Sequence, residues 1–432
     1  MHSVLIRVRG HDISRNAGWI LTGQVIGFVL QVAFFILLAR FLRVSEYGRF
    51  AGAVALTTTL MPYSSLGSSM LFMRYVTADP ATAQTYWGNC LAVITLMTVM
   101  IAGAFYLLGP LLRVSSDPLL VLVLVISNCL CAQVVLCASA VFQTLNKFRI
   151  TAILRLLPNL LRLIVLLVMR PAVHHASALQ WSIGVLGSAL LAAALSIAFV
   201  RQAIGPARID LRLARKRLGE GGGYSFAGST QSAYNDIDKA MLSRYGMNEQ
   251  NGIYTLAYRV IDIACTPVQA IDAAALPRYF GDHKSSFRAV LRLANRLIPA
   301  AAGTGLLMGL CALLASSEIP RMAGRDFSEV VAAIRWLSLL PMLRGLHQLA
   351  GGAITGAGFQ RYRTAGQVAV ALSNIGLNLW LIPGFGWHGA AWSSLASDGG
   401  LAVINISVLL WLRRVLLKHE APSLITSRRA IV

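Results

Sequence analysis

The chain has 432 residues, of which 56% are hydrophobic and only 13% charged, where a soluble protein has about 25% charged residues. This composition excludes a soluble protein and, because apolar segments consume nearly the whole length, leaves no stretch for a soluble catalytic domain. A formal charge of +21 would suggest nucleic acid in a soluble chain; in a membrane protein it points first to basic cytoplasmic loops and second to an anionic substrate, so no nucleic-acid partner is expected.

The opening, residues 1–16, is basic and short of apolar run, with no small-residue cleavage site before the first long segment. The first helix is therefore expected to remain as a signal anchor. Twelve runs can cross about 30 Å of hydrocarbon: roughly 17–39, 50–70, 87–109, 119–142, 151–169, 179–200, 222–243, 251–274, 291–315, 330–354, 366–384 and 388–412. The reading is all-α and integral to the membrane, with about 12 transmembrane helices. An even number puts both termini on one side. With that side cytoplasmic, the inner segments hold about threefold more Lys and Arg than the outer ones, as the positive-inside rule requires. The six cysteines, Cys90, Cys129, Cys131, Cys137, Cys265 and Cys311, fall in or beside apolar runs, where Cys behaves as a small hydrophobe. No disulfide framework, metal site or cofactor is implied.

Apart from Arg155 and Arg292, which count with the cytoplasmic segments, six basic residues lie inside the expected helices: Arg162, Lys239, Arg259, Arg296, Arg335 and Arg344. Five acids accompany them: Asp236, Asp238, Asp262, Asp272 and Asp398. An intramembrane charge costs about 2.5 to 3.5 kcal/mol on insertion scales and persists where it faces a partner or a water-filled cavity. The stretch Gly223 to Tyr245 concentrates them. Gln231, Asn235 and Asp238 share one face at i, i+4 and i+7, whereas Asp236 and Lys239 are i, i+3 neighbours able to pair; a self-neutralised packing helix and a cavity-lining helix both fit. Arg259 and Asp262 repeat the i, i+3 relation. Arg296, Arg335 and Arg344 have no acid within four residues on their own helices, which makes them cavity candidates, although Arg296 and Arg335 lie near helix ends and can snorkel. Gln24 and Gln31 on helix 1, Asn374 and Asn378 on helix 11, Ser394, Ser397 and Asp398 on helix 12, and His347 and Gln348 beside Arg344 add polar positions, suited to a wet interior or to gluing helices together. Pro62, Pro267 and Pro341 permit bends.

The chain also repeats. At an offset of 204, Arg40-Phe41 aligns with Arg244-Tyr245, and the same offset pairs Gln31 with Asn235, Glu46 with Gln250, Gly48 with Gly252 and Phe50 with Tyr254; later, Lys147-Phe148-Arg149 matches Arg361-Tyr362-Arg363 at an offset of 214. Six helices separate each pair. The repeats share one membrane orientation, a parallel duplication, giving two pseudo-symmetric six-helix lobes: 1–200 and 220–432, joined by a basic linker, 201–219. In that linker Ile209, Leu211, Leu213 and Leu218 alternate with basic residues, fitting either a surface helix on anionic lipid or a solvated connector.

Several of these stretches resemble a known family. Asn16-Ala17-Gly18-Trp19 before helix 1, LLARFLRVSEYGRFA (Leu37 to Ala51), IDKAMLSRYGMNEQNGIYTLAYRV (Ile237 to Val260) and the helix 4 exit FQTLNKFRITA are similar to bacterial polysaccharide repeat-unit flippases. These form the oligosaccharidyl-lipid branch of the superfamily that also holds the multidrug and toxic-compound extruders. The resemblance implies two lobes in a V around a cationic central cavity that opens alternately to either side of the bacterial inner membrane. It also implies an undecaprenyl-diphosphate-linked oligosaccharide as substrate, as in O-antigen or exopolysaccharide synthesis, and as further partners membrane lipids and the polysaccharide polymerase and chain-length machinery. Arginine and lysine bind diphosphate by charge-assisted hydrogen bonds. The expected substrate contacts are thus Arg296, Arg335 and Arg344, then Lys239 and Arg259, with Gln31 and Asn235 toward the sugar; Asp236, Asp238 and Asp398 are the candidates for a coupling proton or cation. A cation-coupled drug extruder on the same architecture is the alternative, favoured by an acidic cavity. An enzyme is not expected: no nucleophile motif, phosphate loop or His/Asp/Glu constellation is present, and the longest outer stretch, about 316–329, is too short for a domain. A major-facilitator porter would carry a basic Gly-Arg-rich loop where this chain has Arg74-Tyr-Val-Thr-Ala-Asp-Pro.

Overall fold

The computed structural model describes residues 10–112, 117–173, 175–280 and 287–420. Residues 1–9, and with them most of the expected anchor's basic flank, lie outside the described residues, as do the side chains of Gln24 and Gln231. Among the described residues there are helices and no strand. The protein is an all-α membrane protein, and seven of its helices are long and apolar enough to cross a membrane by length and composition. The helices bearing Asp236, Asp238, Lys239, Arg259 and Asp262 are not among those seven.

By packing, the chain forms two compact units, residues 1–249 and 250–432. The first begins with α1 (Gly10–Ser65), which carries the first two expected spans on one helix; the break expected between them shrinks to a single non-helical residue, Arg43 (φ 58, ψ 166). A turn at Leu66 and Gly67, both at positive φ, leads to α2 (Ser68–Ala78) and α3 (Ala83–Leu112). Next, α4 (Pro118–Val125), a π-helical stretch (Ile126–Ala132) and α5 (Gln133–Thr144) make one span. Asp117 starts it by accepting from the Leu120 N–H at 3.1 Å. Then come α6 (Phe148–Ala172) and α7 (Ala178–Ile204). The last helix of this unit, α8 (Leu211–Arg244), takes in the second half of the linker without a break, because the Asp210 carboxylate accepts from the N–H groups of Arg212 and Leu213, both at 3.0 Å, and so starts the helix early. Two cores hold the unit, one around Trp87, Phe72, Ile94, Val141 and Phe142, the other around Leu120, Leu124 and Val125.

The second unit takes most of α9 (Asn248–Phe280), then α10 (Phe287–Ala315), the short α11 (Ile319–Ala323), α12 (Val330–Leu337), α13 (Leu340–Gly356), α14 (Gln360–Phe385) and α15 (Trp387–Glu420). The tenth expected span is thus two helices, α12 and α13, with Pro341 in the first turn of the second, where its missing N–H costs nothing. Gly305 and Gly309 on α10 lie directly under the Pro341 and Ser338 carbonyls, so a side chain at either would collide with backbone. The core gathers Val268, Tyr279, Leu291, Ala294, Leu349, Ala353 and Ile354.

Two features recur in the units. Glu46 Oε2 accepts from the N–H of Ala178, the first residue of α7, at 2.6 Å; Gln250 Oε1 accepts from the N–H of Trp387, the first residue of α15, at 3.0 Å. The offset-204 pair therefore satisfies the same helix start in each unit. The exit of α5 and that of α13 close with the same turn, Lys147 N–H to Phe142 O at 2.9 Å and Phe359 N–H to Ile354 O at 3.0 Å, around Asn146 and Gly358 at positive φ. Asn146 thus corresponds to Gly358. That register differs by two residues from the one given by Lys147-Phe148-Arg149 and Arg361-Tyr362-Arg363, because the turn is fixed by its left-handed residue and not by the basic residues past it.

Candidate functional site

Helix α9 places Tyr258, Asp262 and Cys265 on one face, at i, i+4 and i+7. Helix α13 places Arg344 and His347 at i, i+3, and α15 places Ser394 and Asp398 at i, i+4. The three faces meet within the second unit. Arg344 Nη1 donates to Asp262 Oδ1 at 2.9 Å and to Cys265 Sγ at 3.6 Å, and its Nε donates to Asp398 Oδ2 at 3.4 Å. The guanidinium also lies 5.4 Å from the centre of the Tyr258 ring, within cation–π range. Arg259 stands 3.7 Å from Asp262. His347 Nε2 is 3.2 Å from Asp398 Oδ1, the carboxylate oxygen that Arg344 does not take. Asp398 is 2% exposed and the Arg344 side chain 11%. Burying such charges is tolerable only as a group, since each needs the other's field and hydrogen bonds to replace water.

Neighbouring polar side chains fix the frame. Tyr254 Oη and Ser394 Oγ are 2.9 Å apart, Asn405 Nδ2 donates to the His347 carbonyl at 2.9 Å, and Arg363 Nη1 donates to Thr355 Oγ1 at 3.1 Å. Between α14 and α15, Asn374 Nδ2 donates to Ser393 at 3.1 Å and Ser397 at 2.9 Å, and Asn378 Nδ2 donates to Asn374 Oδ1 at 3.0 Å. These amides and serines bind helix to helix.

The charged face of α8 belongs to the first unit and is self-contained. Lys239 Nζ lies 3.0 Å from Asp236 and 3.5 Å from Asp238, and donates to the Asn235 carbonyl at 2.7 Å. Gln31, Arg296 and Arg335 are exposed on their units. Of the expected contacts, then, Arg344, Arg259 and Asp398 come together in one cluster, Lys239, Asn235, Asp236 and Asp238 in another, and the remaining three in neither. The sequence reading named His347 only as a polar neighbour of Arg344 and missed that Asp262 and Asp398 hold Arg344. The available signal was complementarity: Arg344 and Asp398 each lack a partner on their own helix. Among the described residues, no group of three or more His, Cys, Asp and Glu is placed to hold a metal ion.

A sequence family described as "Polysaccharide biosynthesis protein" matches residues 13–280, more than half of the chain. No curated protein sequence matches. Among solved structures, the chain is similar to "Lipid II flippase MurJ, inward closed conformation" at 14% identity and a TM-score of 0.70, over 90% of this chain and 87% of that one. It is also similar to an inward-facing "multidrug resistance MATE family transporter of the MOP superfamily" at 14% identity and 0.67, over 91% and 96%. A MOP superfamily transporter from Pyrococcus furiosus, described as having a binding pocket of reverse polarity, aligns at 13% identity and 0.63, over 93% and 95%. At such identities the likeness is one of fold.

Proposed function

The chain belongs to the polysaccharide biosynthesis protein family, and from that premise we propose that it is a flippase rather than an enzyme. It translocates an undecaprenyl-diphosphate-linked oligosaccharide from the cytoplasmic to the periplasmic leaflet of the bacterial inner membrane by alternating access. Both termini then lie in the cytoplasm, and the units descend from a six-helix duplication. One observation carries the anion-binding part of the reading. Arg344 sits in the interior of a membrane protein's helical unit with Nε and Nη1 engaged, while its Nη2 makes no hydrogen bond among the described residues. An intramembrane arginine held in place by acids, with part of its planar fork still able to donate, suits recognition of a diphosphate. Arginine rather than lysine matters, because a point charge could not be gripped on one edge and present another.

The test is reconstitution in liposomes containing a fluorescent polyprenyl-diphosphate oligosaccharide, with translocation scored against protein-free vesicles. Protein-dependent flipping that Arg344→Ala loses and Arg344→Lys partly keeps is the expected result. Wild-type flipping by Arg344→Ala removes that residue from the site, and absence of flipping across several glycans together with proton-driven efflux of a cationic dye moves the protein to the extruder branch.

A further inference from the structure

Arg344 is the best-placed cation for an anionic head group, yet its charge is already answered. Arg259 and Arg344 face Asp262 and Asp398, two positive charges against two negative, at 2.9 to 3.7 Å. Turning Arg344 toward a diphosphate would loosen its hold on Asp398, a carboxylate only 2% exposed, and would bring further negative charge into the same buried space. A neutral cluster has little affinity for an anion.

One more titratable group touches that carboxylate. His347 Nε2 is 3.2 Å from Asp398 Oδ1, is buried, and makes no hydrogen bond. A neutral ring with its proton on Nε2 faces that oxygen as an ordinary donor, and a fully protonated ring at the same distance makes the stronger, charge-assisted pair. Asn405 holds the His347 carbonyl from α15, so the ring is presented to Asp398 by a fixed backbone. The other charged groups around it leave the balance unchanged. From α9 come Asp262 and Asp272, and from α14 Arg363; Asp272 and Arg363 both pack against α13, at Gly352 and Gly351. From α15 comes Asp398, while Arg292 and Arg296 on α10 and Arg335 on α12 are exposed. With His347 neutral the cluster sums to zero. With His347 protonated it carries one net positive charge, and Asp398 keeps a cation when Arg344 swings to the substrate.

Resting on the flippase reading, we propose that His347 is the proton site that charges the anion site, so that a diphosphate head group binds at Arg344 together with one proton at His347. Asp398 is the positioning residue between them: it holds Arg344 while the site is empty and His347 while it is full. The ligand class follows from the charge. Binding favours a head group with two ionised phosphates over a monophosphate or a neutral glycolipid, and by reciprocity the bound diphosphate raises the affinity of His347 for its proton.

The experiment uses the purified full chain in detergent and a polyprenyl-diphosphate-linked monosaccharide, whose two phosphates each carry one strongly acidic oxygen and therefore do not titrate in the range studied. Binding is measured from about pH 5.5 to about pH 8.5. Wild-type Kd is expected to rise about tenfold per pH unit at the alkaline end, as one linked proton requires. Calorimetry of the wild type in buffers of different ionisation enthalpy should report one proton taken up per diphosphate bound there, a readout that depends on no variant folding. His347→Gln should bind weakly at every pH with no slope. Asp398→Asn, which releases Arg344 and His347 from the shared acid, should bind at least as tightly as the wild type in acid and lose most of its pH dependence. A measurable wild-type Kd that stays flat, or a slope that survives in His347→Gln, overturns the proton site and leaves the flippase reading standing. No diphosphate binding by the wild type at any pH overturns both.

Discussion

Glu46 and Gln250 lie 204 residues apart, and each gives one side-chain oxygen to the N–H of the first residue of a helix in its unit, α7 in the first and α15 in the second. Around that shared joint the interiors differ. In the first unit the membrane-spanning helices are tied by neutral groups: Asn128 Nδ2 to Thr57 at 2.9 Å, Gln133 Nε2 to the Met61 carbonyl at 2.7 Å, and Ser64 to the Cys129 carbonyl at 2.7 Å. In the second, α9, α13 and α15 are tied by Arg344, Asp262, Asp398 and His347. The two joints share a geometry, and the ties around them differ in charge. Neutral ties suffice for holding helices together, so charge that is costly to bury is better explained by what it does than by what it holds.

The largest test of that contrast is stability. Arg344→Ala takes one cation from the buried Asp398 and should lower unfolding stability in detergent by about 3 to 5 kcal/mol, the usual cost of breaking a buried pair from one side. Asn128→Ala in the first unit should cost only about 1 to 2 kcal/mol, a neutral hydrogen bond with its buried partner. The double variant Arg344→Ala/Asp398→Asn should recover much of the first loss, since both charges then leave together. Denaturant midpoints for the four proteins decide it: equal losses for Arg344→Ala and Asn128→Ala, or no recovery in the double variant, would mean the cluster is a tie like the others.

The shared joint makes the second test. Removing either acceptor, Glu46→Ala or Gln250→Ala, leaves a helix start unsatisfied and should cost about 1 kcal/mol. The Glu46 change should be the larger, because Glu46 also meets Arg49 at 2.8 Å. Gln250→Glu copies the first unit into the second and places a negative charge at the start of α15, where the helix dipole favours it by about 0.3 to 1 kcal/mol. Thermal unfolding should show Gln250→Glu at or above the wild type; a clear loss would show that the two joints only look alike.

Much of this was legible in the residues. All twelve apolar runs fall on helices, because hydropathy over a span's length needs no knowledge of neighbours. The offset of 204 that pairs Glu46 with Gln250 in the sequence falls on two like contacts, each satisfying a helix start. The joins were less so. Arg43 at φ 58 interrupts α1 with one residue where a loop was expected, and Asp210 extends α8 back into the linker; both depend on a single dihedral or a single cap rather than on a composition. The ion cluster was half visible. Pairs within one helix, Asp236 with Lys239 and Arg259 with Asp262, follow from spacing alone. The contacts of Arg344 with Asp262 and Asp398 cross sequence separations of 82 and 54 residues, and no periodicity reports which faces will meet.

The smallest effect concerns the first unit's own charged cluster, which lies outside its membrane-spanning segments. Arg74 and Tyr75 at the end of α2 both reach Glu220 on α8, at 2.5 Å and 2.8 Å, with Arg217 4.1 Å from the centre of the Tyr75 ring. The hydrogen bond that Tyr75 donates to the Glu220 carboxylate, helped by burial and opposed by Arg217, raises its phenol above the ordinary tyrosine value. The neutral phenol is the form the fold favours, so its contribution is present while Tyr75 is protonated and is lost as pH rises through the raised value. In Glu220→Gln the acceptor is a neutral amide and the phenol should ionise at lower pH. Alkaline ultraviolet difference titration, with Tyr75→Phe to assign the signal, reads this directly, and superimposable curves for the wild type and Glu220→Gln would show that the contact does not hold the proton. A surface cluster of this kind should respond to added salt, whereas the linked proton at His347, screened by the helices around it, should respond far less; that difference separates charge at the surface from charge that is buried.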